Sequence, residues 1–405
     1  MSIICGFPLL ECVYCLGCAR WVWKRSLHTG NRDSETWGTA SAVEFEPVPR
    51  LCRLIMAIYE EDLENPCHHP PGGYGTRGRA PPYLIYLDHR NSDIVVAIRG
   101  LNLGKESDYA ILVDNRLGKK QIYGGYVHNG LLKASAWILD VEGEMLKESL
   151  AEYPDYTLTF AGHSLGSGVA ALLTMLVVHN GERLGDVERK RVRCFAMAPA
   201  RCMSLSLALA YADVIFSVVL QDDFLPRTAT PLEDIFKSIC LRDTCVPEEI
   251  KYKDPRRLYA PGRIYHIIER KPFRWGRLPP VVRTGVPVEG RFEHIVPSCN
   301  ATSDHAIVWI ERQSQKLWMR KGAAMEIPPA QRIERQETIV RDHKDEQRAA
   351  LRRAVTLDVP HAVSPSAYGT FDGAHAAAAA PGSEKMSWQE LIRRVREIDG
   401  DSVHT

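Results

Sequence analysis

TLTFAGHSLGSG, from Thr157 to Gly168, sets the fold of this chain. It opens with alternating β-branched and aromatic residues, which is typical of a strand. The pattern Gly-x-Ser-x-Gly follows, centred on Ser164. An apolar run over residues 169–178 comes next and has the length and composition of a buried helix. The segment therefore predicts a strand, a sharp turn and a helix.

A serine on such a turn is held out of the edge of the sheet, where it can act as a nucleophile. Gly162 and Gly166 remove side chains that would clash there. The amide of Leu165 would lie at the positive end of the helix and point at a carbonyl under attack. This is the nucleophile-elbow pattern of serine α/β-hydrolases. The pentapeptide alone occurs by chance in many proteins, and the alternative is that Ser164 only caps the helix; the flanking strand and helix favour the nucleophile.

Length, composition and charge describe a globular protein without a strong electrostatic preference. The 405 residues suffice for one large α/β domain with appendages, and the hydrophobic fraction of 45% is ordinary. The formal net charge of +1 excludes a global field that would attract nucleic acid. The 11 cysteines are odd in number and spread along the chain, which indicates a reducing compartment. Cys194 and Cys202 flank a predicted strand and are expected to be buried, small apolar residues.

The N-terminal segment is apolar and rich in cysteine. Residues 3–19 carry one charge and four cysteines, and basic residues follow them. A signal peptide has its positive charge before the apolar run, so we expect a cytoplasmic protein that is not secreted. Three interpretations remain open. They are a membrane-surface anchor over Met1–Arg25 that is S-acylated on its cysteines, a buried helix or lid, and a metal or cluster site at Cys12, Cys15 and Cys18, which lacks a fourth ligand at the expected spacing.

Strand and helix patterns alternate along the rest of the chain. Helices are predicted over residues 47–64, 131–150, 169–178 and from 305 onward; strands are predicted over 83–88, 94–98, 156–161, 192–198, 214–220 and, last, 263–269. The alternation implies the α/β class, with a mainly parallel sheet and helices on both faces. We expect three regions: a Cys-rich N-terminal segment and linker (1–46), an α/β-hydrolase domain (47–320), and a charged, largely disordered tail with a short C-terminal helix (321–405).

A serine hydroxyl needs a base to take its proton, and the base needs an orienting carboxylate. In this fold class the chain order is serine, acid, histidine, with the last two on loops after later strands. Asp223 follows the predicted strand at 214–220 and is the candidate acid. The alternative is that it caps a loop. Its neighbour Asp222 should point in a different direction.

His305 follows the last predicted strand after a long loop and is the candidate base. His294 lies nearer that strand and is the second candidate. His266 lies inside the strand and is expected to be a core histidine. His163 should point away into the fold, and His128 either orders an oxyanion loop or is structural.

The second oxyanion donor should be a backbone amide after an early strand. Leu101, which follows Arg99 and Gly100, is the candidate. The amides of Leu101 and Leu165 would together stabilise the tetrahedral anion. This chemistry needs no metal and no cofactor.

Five segments in the expected order resemble the class 3 (fungal-type) lipase family, and more narrowly its plant mono-/diacylglycerol lipase-like branch, whose members are also described as calmodulin-binding heat-shock proteins. They read IVVAIRG (94–100), GYVHNG (125–130), GHSLG (162–166), DFLPR (223–227) and SDH (303–305). The resemblance covers roughly residues 47–320, and the N-terminus is similar to that branch as well. It implies an enzyme that hydrolyses glycerolipid esters, with Ser164 as nucleophile, Asp223 as orienting acid and His305 as base. The family usually has Ser or Thr where this chain has Leu101, so a supporting hydroxyl is absent.

A second hypothesis is a membrane-attached, calmodulin-binding signalling protein with a weak or vestigial hydrolase site. It rests on the changed oxyanion loop and on three basic, Trp-containing segments, residues 21–28, 306–321 and 386–398. Each segment has a plainer interpretation: a membrane flank, the last core-packed helix, and a tail helix that also carries acidic residues. The expected partners are thus a glycerolipid substrate and a membrane surface, with calmodulin as the alternative and no nucleic acid.

Overall fold

The computed structural model describes residues 15–16, 30–41, 43–60, 73–75, 80–100, 121–228, 257–270, 277–293, 296, 298, 300–320, 344–345 and 348. The structural statements below concern these residues. Leu101, His294 and most of the N-terminal and C-terminal segments lie outside them.

A nine-stranded sheet forms the centre of the fold. Its strands are β1 Gly38–Thr39, β2 Gly73–Gly75, β3 Tyr83–Asp88, β4 Asp93–Ile98, β7 Thr157–His163, β8 Val192–Met197, β9 Ile215–Leu220, β10 Arg263–Ile268 and β11 Val281–Gly285. A separate hairpin consists of β5 Gln121–Ile122 and β6 Gly125–Tyr126. The helices are α1 Pro47–Ile58, α2 Asn129–Glu152, α3 Leu165–His179, α4 Leu205–Ala210, α5 Ala301–His305 and α6 Ile307–Arg320.

The strand order is β1-β11-β10-β9-β8-β7-β4-β3-β2. The five central strands, from β10 to β4, are parallel, and antiparallel strands extend the sheet at both edges. The predicted α/β-hydrolase fold is confirmed, with the parallel pairing confined to the centre of the sheet. Because the carboxyl ends of parallel strands meet at one edge, the loops after β4, β7, β9 and β10 lie on the same side of the molecule.

Two predicted boundaries are wrong. The strand at 263–268 is not the last, because β11 follows it and pairs with it antiparallel. Val282 is the one buried residue of β11. The strand therefore lacks the alternation of apolar and polar residues from which a strand is predicted. The sheet domain also begins before residue 47, since β1 pairs with β11 and the amide of Gly30 bonds the side chain of Asp222.

Helices cover both faces of the sheet, as the alternation predicts. In β4, Ile94, Val96 and Ile98 belong to the core beneath α2 and α3, whereas Val95 and Ala97 belong to the core beneath α1 and α6. This division follows from the two-residue period of a strand. A strand that is buried on both faces reads as a continuous apolar run, which is what β4 shows.

Helix α6 packs against α1 over the same face of the sheet. Ile307 and Ile310 are buried in the core that α1 contributes to. Arg53 on α1 forms an ion pair with Glu311 on α6 at 3.2 Å. The segment 306–321 is therefore, over its described part, the last core-packed helix of the domain.

The turn between β7 and α3 has a backbone that only its glycines permit. Ser164 has φ 54° and ψ −121°, a conformation that L-residues rarely adopt. A Cβ at Gly162 would overlap the carbonyl group of Gly166, and a Cβ at Gly166 would overlap the carbonyl oxygens of Ile98 and Arg99 at the end of β4. The two glycines therefore let the turn close against the neighbouring strand.

An arginine joins the loops that carry the predicted acid and base. Nη1 of Arg270, just after β10, lies 3.0 Å from Oδ1 of Asp304, and its Nη2 bonds Oδ2 of the same carboxylate and lies 3.4 Å from Asp222. The amide of Asp222 donates to Asp304 at 3.0 Å. Burial raises the pKa of Asp304 to about 6, and Arg270 opposes that rise. These three residues, which we call the Arg270 clamp, fix the positions that precede Asp223 and His305.

Replacing Gly162 with Ala should destabilise the fold, because the new methyl group meets backbone that cannot move aside. We expect the free energy of unfolding to fall by about 3 kcal/mol or more. The matched control is Gly143→Ala in α2, where the added methyl finds only ordinary contacts. It should be neutral or stabilise by up to about 1 kcal/mol, since Ala favours helix over Gly. Urea unfolding measures both, and similar values for the two variants would contradict this account of the turn.

Replacing Arg270 with Met should leave buried carboxylates without their cation and lower the free energy of unfolding by about 3 kcal/mol. The control is Arg189→Met. Arg189 makes the same two-pronged contact with Asp213, but 41% of its side chain is exposed. An exposed pair contributes little, so that variant should lose no more than about 1 kcal/mol. Equal losses at both positions, measured by urea unfolding, would show that the clamp is not a buried ionic cluster.

Candidate active site

Three side chains from separate loops meet at the carboxyl ends of the central strands. Ser164 lies between β7 and α3, Asp223 follows β9, and His305 ends α5. Nε2 of His305 lies 3.0 Å from Oγ of Ser164, and its Nδ1 lies 2.9 Å from Oδ1 of Asp223. The structure thus brings together the residues that the sequence predicts as nucleophile, base and acid, at hydrogen-bonding distance and in that order.

The hydrogen-bond partners assign the protons. A carboxylate only accepts, so Nδ1–H of His305 donates to Asp223 and Nε2 accepts the hydroxyl proton of Ser164. Asp223 is fully buried, and its Oδ1 also accepts the amide of Leu225 at 3.0 Å. The arrangement can therefore take a proton from the serine and hold the imidazolium that results against a buried carboxylate.

The side chains of the adjacent Asp222 and Asp223 point to different partners, as the sequence predicts. The side chain of Asp222 accepts the amide of Gly30 at 2.8 Å and belongs to the Arg270 clamp. Asp223 alone of the two contacts His305. Asp223 also caps its loop, which was the alternative interpretation, because its carboxylate accepts the amide of Leu225 as well.

One of the two predicted oxyanion donors is described. Leu165 is the first residue of α3 and directly follows Ser164. Leu101 lies outside the described residues, but Gly100 before it is in place. A Cβ at Gly100 would come within 2.9 Å of the Cβ of Ser164, so the chain passes very close to the nucleophile there. The role of Leu101 stays a prediction.

Two other described histidines, His266 and His128, have contacts of a structural kind. His266 in β10 is fully buried with both ring nitrogens hydrogen-bonded, and burial lowers its pKa to about 4. It is a core histidine, as expected. His128 precedes α2, where its Nδ1 accepts the amide of Leu131 at 3.3 Å, so its observed contact is a helix cap. His294 lies outside the described residues.

His163 does not turn away from the site, contrary to expectation. Its Nε2 lies 2.8 Å from the carbonyl oxygen of His305, and its Nδ1 lies 2.8 Å from the hydroxyl of Tyr59. The reason is strand parity: Ala161, two residues earlier, packs on the face covered by α1 and α6, and His163 points to that same face. Sequence reasoning missed Tyr59, because nothing marks it among the polar residues at the end of an amphipathic helix.

An apolar cavity of about 510 Å³ borders the three side chains. Met56 of α1 and Ile307 and Val308 of α6 line it together with Ser164 and His305. Its size falls within the range of small-molecule sites, and its apolar walls suit a hydrocarbon group placed next to the nucleophile.

The described part of the chain contains neither a metal-binding cluster nor a membrane-spanning helix. In this part of the chain no three His, Cys, Asp or Glu side chains are grouped so that they could hold a metal ion. Nor does it contain a helix with the length and apolarity needed to cross a membrane. Cys194 and Cys202 are buried, as predicted. Of the N-terminal cysteines only Cys15 is described, and it is exposed, so the three interpretations of that segment stay open.

Solved structures that resemble the fold include fungal lipases. The chain aligns with a triacylglyceride lipase from Rhizomucor miehei at 14% identity over 66% of this chain and 95% of that one, with a TM-score of 0.48. Lipase II from Rhizopus niveus aligns at 17% identity over 66% and 94%, also with a TM-score of 0.48.

Similar proteins include diacylglycerol lipases. The mouse diacylglycerol lipase-beta is 31% identical over 182 residues, which cover 42% of this chain and 25% of that protein. The human diacylglycerol lipase-alpha is 24% identical over 241 residues, which cover 47% and 22%. The chain thus spans about a quarter of the length of the curated relatives it matches.

Two family models match successive parts of the chain. The model described as Lipase (class 3) matches residues 95–233, which include the elbow and the acid loop. The model described as Lipase 3 N-terminal region matches residues 9–76, which include α1. These matches, together with a serine, a histidine and an aspartate joined at the end of the parallel strands, show that residues 9–76 and 95–233 of the chain are similar to the class 3 lipase family.

Proposed function

We propose that this protein is a serine lipase that hydrolyses acyl esters of glycerolipids through an acyl-enzyme on Ser164. The observation that carries the proposal is the hydrogen-bonded order Ser164, His305, Asp223 beside an apolar cavity. The similarity to diacylglycerol lipases supports a mono- or diacylglycerol-like substrate.

The proposed reaction has two halves. In the first, His305 takes the proton of Ser164 while Oγ attacks the ester carbonyl, and the amides of Leu165 and Leu101 hold the tetrahedral anion. Collapse of the anion breaks the ester C–O bond, and His305 gives its proton to the departing glycerol oxygen. In the second half, His305 takes a proton from water as the water attacks the acyl-enzyme. Collapse of this second anion breaks the bond to Oγ, His305 returns the proton to Ser164, and the fatty acid leaves.

Attachment to a membrane surface through Met1–Arg25, on the cytoplasmic side, belongs to the same proposal. Its support is the apolar, Cys-rich run followed by basic residues. Calmodulin binding is the second candidate for a partner. Since α6 has Ile307 and Ile310 in the core, calmodulin could bind residues 306–321 only after that helix left the fold. A calcium-dependent pulldown with the full chain tests the remaining segments, 21–28 and 386–398.

Replacing Ser164 with Ala should lower kcat for diacylglycerol hydrolysis by at least about 10⁴-fold and abolish labelling by a fluorophosphonate, because the nucleophile is gone. Asp223→Asn should lower kcat by a similar factor, since the histidine loses its orienting carboxylate. The control is Ser149→Ala on α2, whose hydroxyl donates to the carbonyl oxygen of Met145 one turn earlier in the same helix and should not matter for catalysis.

Fatty-acid release and labelling are measured on the same preparations. Full activity in Ser164→Ala would refute the assignment of the nucleophile. Labelling of the wild-type protein without hydrolysis of any glycerolipid would instead refute the substrate class while leaving the nucleophile in place.

A further inference from the structure

Three hydrogen bonds connect the backbone before the predicted oxyanion loop to the backbone of the predicted base. The amide of Gly100 donates to the hydroxyl oxygen of Tyr59 at 2.8 Å. The same oxygen lies 2.8 Å from Nδ1 of His163. On the other side of the ring, Nε2 of His163 lies 2.8 Å from the carbonyl oxygen of His305.

The partners fix the direction of every bond. A carbonyl oxygen only accepts, so Nε2–H of His163 donates to His305. Burial lowers the pKa of His163 to about 4, with a smaller contribution from His305, so the ring is neutral near pH 7. Its Nδ1 must then accept, and the proton in that bond comes from the Tyr59 hydroxyl. The chain of donors therefore runs from Gly100 through Tyr59 and His163 to His305.

Each end of this chain holds a group that the proposed reaction needs. At one end, Gly100 immediately precedes Leu101, the predicted oxyanion donor, and lies close to Ser164. At the other end, the carbonyl belongs to His305, whose ring is oriented by Asp223 through a different atom. His305 is thus held by its ring from one side and by its main chain from the other.

We propose that Tyr59 and His163 form a positioning relay that couples Gly100, the residue before the predicted oxyanion donor, to the main chain of His305. The inference rests on the proposed function, since it assigns the relay to the reaction at Ser164. Both residues act through protein groups: the Tyr59 hydroxyl and both ring nitrogens of His163 are engaged with Gly100, with each other and with His305. They are positioning residues and not catalytic ones.

A purely structural role makes a different prediction. Tyr59 directly follows α1 and lines the cavity, so in a purely structural role its ring would serve only as a wall for the substrate. In that case loss of the hydroxyl would leave kcat unchanged. If the relay sets the geometry of the reacting groups, loss of the hydroxyl lowers kcat and leaves KM unchanged, because misplacement of reacting groups affects the transition state.

Tyr59→Phe tests this distinction with the loss of one oxygen atom. We expect kcat for diacylglycerol hydrolysis and the rate of fluorophosphonate labelling to fall by about tenfold or more, with KM unchanged. The thermal unfolding midpoint should fall slightly, because Gly100 and His163 lose a hydrogen-bond partner, and the protein should stay folded at the assay temperature. The matched control is Tyr156→Phe, which also removes a tyrosine hydroxyl bonded to a histidine, His89, but just before β7 at the opposite end of that strand from Ser164. That variant should match wild type in every measurement.

Variants of His163 test whether the two residues act as one unit. His163→Gln keeps one donor and one acceptor and should retain more activity than His163→Leu, which keeps neither. The double variant Tyr59→Phe/His163→Leu should lose no more than His163→Leu alone, because the relay is already broken. Multiplying losses in the double variant, or a loss in Tyr59→Phe that lies wholly in KM, would overturn the relay.

Labelling separates failure of the relay from failure of the proposed function. The reagent reports on Ser164 and His305 without any lipid. An unchanged labelling rate in Tyr59→Phe overturns the relay, whatever the substrate proves to be. Absence of diacylglycerol hydrolysis by a wild-type protein that is labelled refutes only the proposed substrate.

Discussion

The backbone of Ser164 holds a conformation that every other part of the site must support. A positive φ at a non-glycine residue costs of the order of 1–3 kcal/mol, so the surroundings must keep it in place. They do so with the amide of Ser164 bonded to the carbonyl of Met197 at 3.0 Å and with Gly166 closed against the end of β4. Both contacts require β7 to lie between β4 and β8. The parallel centre of the sheet is therefore a condition for the serine to stand exposed at its edge.

Buried ion pairs hold the loop that carries Asp223, the predicted acid. Arg227 is fully buried, bonds Asp33 at 3.0 Å and donates to the carbonyl of Asp223 at 2.8 Å. Residues near Gly30 thus support the acid loop, although they lie almost two hundred positions earlier in the chain. Together with the Arg270 clamp they fix the loop after β9 on two sides. Buried ions of this kind specify one arrangement because each loses a partner in any other.

The face of the sheet under α1 and α6 contributes to both the hydrophobic core and the candidate site. The two helices pack on each other and line the cavity. Tyr59 directly follows α1 and His305 ends the short helix α5 just before α6, and the two residues lie on either side of His163. The same helices therefore cover this face of the sheet and shape the candidate site. A change in how α6 rests on α1 would move the base as well as the cavity wall.

The elbow, the parallel centre and the order of serine, acid and histidine follow from the amino-acid sequence alone. These features are local: a β-branched run, glycines at fixed spacing and an apolar helix depend on neighbours in the chain, and the order of elements constrains the sheet. Packing in three dimensions added β11, moved the start of the domain before residue 47, and turned His163 toward the main chain of His305. It also brought Tyr59 and Arg270 to the site. No spacing along the chain encodes those contacts, because they arise from the packing of α1, α6 and the acid loop against one end of the sheet.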